Sequence, residues 1–326
     1  MVAAVAILSV CGFALLLSLI LFLLVFYAPR KKPLGKDEYS LPNGKIYEPY
    51  HDLLRFWAKQ SRELPRKDVT VTSFDGLTLC GRYYEYAPGA PMELMFHGYR
   101  GSGERDLSVG IQRAFSLGRS VLLVEQRSSC GSEGRVITFG VRESRDCLTW
   151  IDFAIRTFGE DVTILLTGIS MGATSVLMAA GHPLPPNVKG ILADCGFTSA
   201  REIICKVLRQ IHMPVPLFYP LIDLSARLWG GFRLSDSDAR QALQRCTVPI
   251  VFIHGEGDDL VPCEMSRQNY DACPTPKAIL TVPGAGHGLA YVKDPQAYLD
   301  ILCSFFTEQG VPTAVKKNSS IPEITA

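Results

Sequence analysis

The stretch VTILLTGISMGATSVLMAA, residues 162–180, decides how the chain is to be read. Its opening, Val162–Thr167, is a short β-branched and apolar run that predicts a buried strand. Its close, Ala173–Ala180, is a run of small and apolar residues that predicts a helix. Between them Gly168-Ile169-Ser170-Met171-Gly172 fits the pattern G-x-S-x-G. A serine on a sharp strand-to-helix turn raises its hydroxyl above the sheet, and the flanking glycines let strand and helix approach closely. The helix start also offers free N–H groups and a positive dipole to a developing oxyanion. The bare pattern is common and also suits a plain strand–helix turn, so its setting marks Ser170 as the candidate nucleophile.

Similar short runs recur at 69–74, 77–86, 93–97, 121–125, 190–194, 250–254 and 278–282. Asp75-Gly76 joins the first two as a hairpin turn. The later runs alternate with helical stretches near 104–117, 141–158, 171–181, 237–245, 263–273 and 294–309. Buried strands separated by helices predict a mostly parallel sheet covered on both faces. Residues 197–235 break the alternation with an amphipathic stretch carrying Pro214, Pro216 and Pro220, and predict a cap over the sheet edge. Ile203, Ile204, Val207, Leu208, Leu217, Phe218, Leu221, Ile222, Leu228 and Trp229 give it apolar surface, part to pack on the core and part to line an acyl pocket.

Upstream, Val2–Ala28 is almost wholly apolar and long enough for a membrane-spanning helix. A cleavable signal peptide is the alternative, but the run has no basic n-region and exceeds an h-region of about 7–15 residues. Arg30, Lys31 and Lys32 follow it, and the positive-inside rule places the remainder on the cytoplasmic side. Ten cysteines without a C-x-x-C pair read mainly as buried hydrophobes in a reducing compartment. On that topology Asn318-Ser319-Ser320 goes unglycosylated. The expected divisions are a transmembrane helix at 2–28, a linker and juxtamembrane helix at 29–64, one catalytic domain at 65–310 and a flexible tail at 311–326. A net charge of +1 without a basic patch argues against nucleic acid as a partner.

A serine nucleophile needs a base, and the base an orienting carboxylate. His254-Gly255-Glu256-Gly257-Asp258 lies just past a late strand, at the sheet edge that also bears Ser170. Gly284-Ala285-Gly286-His287-Gly288 follows the last strand, and a glycine-rich loop lets His287 swing toward that edge. The order serine, aspartate, histidine suits this architecture. Asp258 is preferred to Asp259 because it stands four residues after His254, which itself reads as a structural hydrogen-bonder. Gly98 lets the chain turn after the third strand so that the N–H of Tyr99, with that of Met171, can form an oxyanion hole. His97 reads as structural.

With those residues in place the chain resembles the α/β-hydrolase superfamily over roughly residues 65–308. Within it, HGYRGSGERD, DCGFTS and HGEGDDLVP are similar to esterases and serine aminopeptidase-like hydrolases. The resemblance implies an α/β fold with an eight-stranded sheet, a Ser170–His287–Asp258 triad, no cofactor, and hydrolysis of esters, thioesters or amides, and the residues themselves show no metal-ligating cluster. One departure is Arg127-Ser128-Ser129-Cys130-Gly131-Ser132, where such proteins carry R-G-x-G-x-S. A single glycine after His97, rather than three, disfavours bulky tertiary-alcohol esters. The expected activity is cleavage of small-molecule or lipid-like carboxylic esters beside a membrane. A peptidase on short peptides and a catalytically silent binding protein are the alternatives. A dehalogenase would need a carboxylate at position 170, and Gly101-Ser102-Gly103 lacks the lysine and spacing of a phosphate loop.

Overall fold

The computed structural model describes residues 2–29, 38–311 and 313, with the side chains at 2, 3, 5, 7 and 10 excepted. Arg30, Lys31, Lys32, Asn318 and nearly all of the expected tail lie outside them. Eight strands form one sheet: β1 (Lys67–Thr72), β2 (Thr78–Tyr84), β3 (Met92–Phe96), β4 (Ser120–Val124), β5 (Ile164–Ile169), β6 (Val188–Asp194), β7 (Ile250–Gly255) and β8 (Lys277–Val282). Their spatial order is β1-β2-β4-β3-β5-β6-β7-β8. The hairpin strands β1 and β2 are antiparallel, β2 is antiparallel to β4, and every other pair is parallel.

The parallel strands β3–β7 are buried on both faces, the edge strand β8 only in part, and their side chains divide with period two. Ile164, Leu166, Ile191, Ala193, Ile250 and Phe252 meet one face, where α4 (Glu143–Phe158), α5 (Met171–Ala179), α8 (Ala239–Leu243) and α9 (Cys263–Ala272) pack. Leu165, Leu192, Val251 and Ile253 meet the other, beneath α10 (Ala290–Lys293) and α11 (Pro295–Glu308). On that face Met95, Val121 and Leu123 contact α3 (Gly103–Ser116). The amphipathic segment after residue 50 is α2 (His51–Glu63), and it buries Trp57, Ala58 and Ser61. Ser61 Oγ donates to the Ser108 carbonyl of α3, and Arg62 pairs with Glu104 at 2.6 Å.

The cap leaves the domain after β6 as α6 (Ala200–Gln210) and α7 (Val215–Ser225), followed by a wide turn at Ala226–Gly230. A bridge between Ser199 and Asp238 closes its base. The loop that departs from R-G-x-G-x-S puts Ser128 (φ 65°) and Cys130 (φ 46°) in the left-handed region that glycine adopts at lower cost. Arg127, bonded to both Asp75 and Asp146, anchors that loop.

The first helix, α1 (Val2–Val25), runs 24 residues, about 36 Å at 1.5 Å per residue. Among residues described with their side chains, no helix is long and apolar enough to cross a membrane. Its last turns do not stand clear of the domain. Leu21, Phe22 and Phe26 are buried, and the Phe26 ring lies 5.8 Å from Phe139 and 5.3 Å from Phe232. The Ala28 N–H donates to Arg135 O at 2.9 Å and the Ile137 N–H to Phe26 O at 2.9 Å. The Trp229 indole donates to Ser18 Oγ at 3.1 Å.

Beneath the sheet edge the fully buried Glu93 bonds Arg119 at 2.8 Å, Arg113, and Thr167 Oγ1 at 3.0 Å. Burial alone would raise the Glu93 pKa, but the charges of Arg113 and Arg119 overcome this and hold it below the ordinary carboxylate value. Removing one charge from such a cluster strands the others without solvent. Glu93→Gln is therefore expected to cost about 3–5 kcal/mol, measured as a shift of the urea midpoint at constant m-value.

Candidate active site

Ser170 lies between the end of β5 and the first residue of α5, with φ 57° and ψ −121°. Such a backbone is strained for a non-glycine residue and persists only where its surroundings enforce it. Here the Ser170 N–H donates to Asp194 O at 2.8 Å. A Cβ on Gly168 would fall 2.3 Å from the Gly172 carbonyl, and one on Gly172 would fall 2.1 Å from Phe96 O. Both positions thus exclude any side chain, because α5 crosses directly over the ends of β3 and β5.

His287 Nε2 is 3.0 Å from Ser170 Oγ, and its Nδ1 is 2.6 Å from Asp258 Oδ2. The carboxylate can only accept, so Nδ1 carries a proton and Nε2 is left to accept from the serine hydroxyl. Asp258 Oδ1 accepts the N–H groups of Leu260 and Val261, each at 2.8 Å. His254 Nε2 lies 2.9 Å from Val261 O and 3.1 Å from Asp258 Oδ2. It therefore donates, leaving Nδ1 to accept from Ser266 Oγ at 2.6 Å. Burial acts to raise the Asp258 pKa. Bonds from His254 and His287 and the Val261 N–H outweigh it and hold the carboxyl well below the usual range. Asp259, by contrast, is exposed, and its carbonyl receives Lys206.

Met171 opens α5, and Tyr99 follows Gly98, whose Cβ position is 3.4 Å from Ser170 Cβ. Neither the Tyr99 nor the Met171 N–H has a hydrogen-bond partner among the described residues. The Gly98 loop is pinned by Asp106, which accepts the Gly98 N–H at 2.9 Å and pairs with Arg105. His97 bonds the Gly98 carbonyl at 2.8 Å and accepts the Gln126 N–H at 3.1 Å, so its ring braces the strand end.

Two cavities meet at Ser170. One, about 420 Å³, is bounded by Ile203, Ile204, Val207, Leu208 and Ile222 of the cap, with Phe139 and Phe197. Leu217, Leu228 and Trp229, also expected from the sequence to furnish apolar surface there, are 59%, 51% and 43% exposed and do not line it. Leu21, Leu24 and Val25 of α1 take their place, because α1 packs along α7. The other cavity, about 320 Å³, carries polar groups from Asn43, Glu104, Arg105 and Asp106. Tyr47, from the expected linker, lines it too and donates its hydroxyl to His287 O at 2.9 Å. Burial and the nearby Cys195, Asp258 and Asp106 push the Tyr47 phenol up, so it stays a neutral donor.

Cys195, Asp258 and His287 offer ligand atoms within 4.8 Å of one another, the sole metal-like grouping among the described residues. Its histidine and carboxylate already bond each other, and burial drives the Cys195 thiol far up, away from the thiolate a metal requires. None of the ten cysteines is in a disulfide.

Among solved structures, a Pyrococcus furiosus esterase superimposes with a TM-score of 0.65 over 87% of this chain and 98% of its own, at 18% identity. The chain has the α/β-hydrolase fold. A Mycobacterium tuberculosis puromycin-hydrolyzing peptidase shares this hydrolase fold at a TM-score of 0.60 and 15% identity, over 76% of this chain and 40% of its own. By sequence, an uncharacterized Bacillus subtilis protein is 26% identical over 56% of the chain, and the match spans 60% of that protein's length. An uncharacterized Mycobacterium tuberculosis protein is 28% identical over 75% of the chain and 80% of its own. An uncharacterized membrane protein of Saccharomyces cerevisiae is 25% identical over 59% and 62% respectively. No family model matches.

The Asp258 network generates a test with a defined sign. A carboxyl whose folded pKa lies below its unfolded value of about 3.9 contributes stability above that value, and loses it as the pH falls toward the folded pKa. Asp258→Asn lacks this contribution at every pH. The stability gap between the two proteins is expected to be widest near neutrality and to shrink below about pH 4, as read from urea midpoints. Asp259→Asn should behave as the unsubstituted chain does.

Proposed function

We propose that the protein is a serine hydrolase that cleaves carboxylic esters of apolar acyl groups through an acyl-enzyme. The observation that carries this is the bonded chain Ser170–His287–Asp258 at the meeting point of an apolar and a polar cavity. His287 Nε2 takes the hydroxyl proton as Ser170 Oγ attacks the ester carbonyl carbon. The resulting oxyanion is received by the N–H groups of Tyr99 and Met171. Collapse expels the alcohol, which leaves with the proton from His287. Water, deprotonated by the same nitrogen, then attacks the acyl-serine, and the acid departs as Ser170 recovers its proton. Asp258 keeps Nδ1 protonated and steadies the imidazolium.

A peptidase acting on free amino termini would need an unpaired carboxylate beside the serine. The acids of the polar cavity are engaged: Glu104 by Arg62, and Asp106 by Arg105 and the Gly98 N–H. This favours esters over peptides. A binding protein on the same fold would leave Ser170 unreactive.

Membrane anchoring by α1 belongs to the same proposal. Leu8, Phe13 and Leu16 project outward, and the cap presents Leu217, Leu228 and Trp229 beside that helix. Only about 15 residues of α1 precede the part packed on the cap, some 22 Å against a hydrocarbon core of about 30 Å. An anchored enzyme would thus hold the outer cap face at the lipid boundary. Arg30, Lys31 and Lys32 favour the cytoplasmic side for the domain.

A fluorophosphonate probe is expected to label Ser170, and Ser170→Ala to lose labelling and four to six orders of magnitude of turnover, roughly. The kcat/KM for p-nitrophenyl acyl esters should exceed that for aminoacyl p-nitroanilides; the reverse would make the protein a peptidase. Protease added to intact cells should spare the domain, and its digestion would invert the topology.

A further inference from the structure

We infer that α1 is a wall of the acyl-binding site, and that Leu21 and Leu24 set the length of acyl chain the enzyme accepts. This rests on the ester-hydrolase assignment proposed above. The apolar cavity starts at Ser170, and the cap supplies one side of it through Ile203, Ile204 and Ile222. Leu21, Leu24 and Val25 supply the facing side. Without α1 the space would be an open groove, and an acyl chain in it would keep one flank in water.

The helix is held in one register. An α-helix ends with carbonyls that have no partner within it. Here the Val25 carbonyl accepts the Tyr99 hydroxyl at 2.7 Å, while those of Leu24 and Tyr27 accept Arg100 Nη2 at 2.8 Å each. A guanidinium at this end also meets the negative pole of the helix dipole. Tyr99 and Arg100 belong to the loop that presents a candidate oxyanion donor, so the helix end and that loop fix one another. A slip of one turn, about 5.4 Å, would break all three bonds, take Phe26 from between Phe139 and Phe232, and carry Leu21 out of the cavity. The occupant is the acyl chain rather than the alcohol, since the polar groups gather in the other cavity. Each methylene buried against these leucines should raise kcat/KM about fourfold until the space is filled.

The test is kcat/KM of the full-length chain in detergent across p-nitrophenyl esters from acetate to laurate. Leu24→Trp adds bulk at a residue that is 64% exposed, where a larger ring is tolerated. It is expected to lower the laurate-to-acetate ratio about tenfold or more, the loss of two or more buried methylenes. Leu21→Ala, at a buried position, should shift the optimum toward longer chains; Leu24→Trp carries the test should that variant fail to fold. Leu16→Trp, on an exposed part of the same helix, should keep the wild-type ratio. Labelling of Ser170 by a fluorophosphonate monitors the integrity of each variant. If the wild type and both variants are labelled and share one chain-length profile, α1 is no wall and this inference alone falls. If the wild type is neither labelled nor active on any ester, the ester-hydrolase assignment falls and takes this inference with it.

Discussion

A side chain at residue 172 would collide with the carbonyl oxygens of Phe96 and His97, and one at residue 168 with the backbone of residues 172 and 173. The absence of those two Cβ atoms lets α5 pass over the sheet at backbone contact. Ser170, trapped in the turn between them, takes up a left-handed conformation that a looser crossing would relax. Its hydroxyl is then presented to His287, while the first N–H of α5 and the loop after β3 come to the same point. The site is the product of one close approach, and its remaining parts are arranged around it.

Asp258 is the electrostatic counterpart of that contact. A buried carboxylate is stable only when its lone pairs are met, and four donors meet this one: two backbone N–H groups and two imidazoles. His254 is itself held by Ser266 and Val261, so the carboxylate is fixed before it orients His287. Tyr47 restrains the same histidine from its backbone side. Deeper in the sheet, Glu93 between two arginines repeats the principle without any part in the chemistry proposed here.

The first helix changes what the cap can be. A two-helix cap over a sheet edge is amphipathic in an ordinary way, with one face to the core and one to solvent. Here α7 is apolar on several faces and α1 lies along it, and both border the cavity beside Ser170. Anchoring and substrate binding would then be functions of a single apolar surface.

The central strands β3–β7 are legible in the sequence because burial on both faces leaves continuous apolar runs, while the half-exposed hairpin β1–β2 is legible from its Asp75-Gly76 turn. The order Ser170, Asp258, His287 is legible for a related reason: each residue follows a strand of known direction, so all three reach one edge. Asp106 stands within the quoted stretch HGYRGSGERD, yet nothing in its spacing says that it pins Gly98. Tyr47 is 240 residues from His287, and no local signal could join them. Residues 2–25 spell an apolar helix and no more. That its last turns pack on the cap, while Leu217, Leu228 and Trp229 face outward, was decided in three dimensions. Hydrophobicity determines which side chains seek cover, but only the packed tertiary structure determines which surfaces provide it.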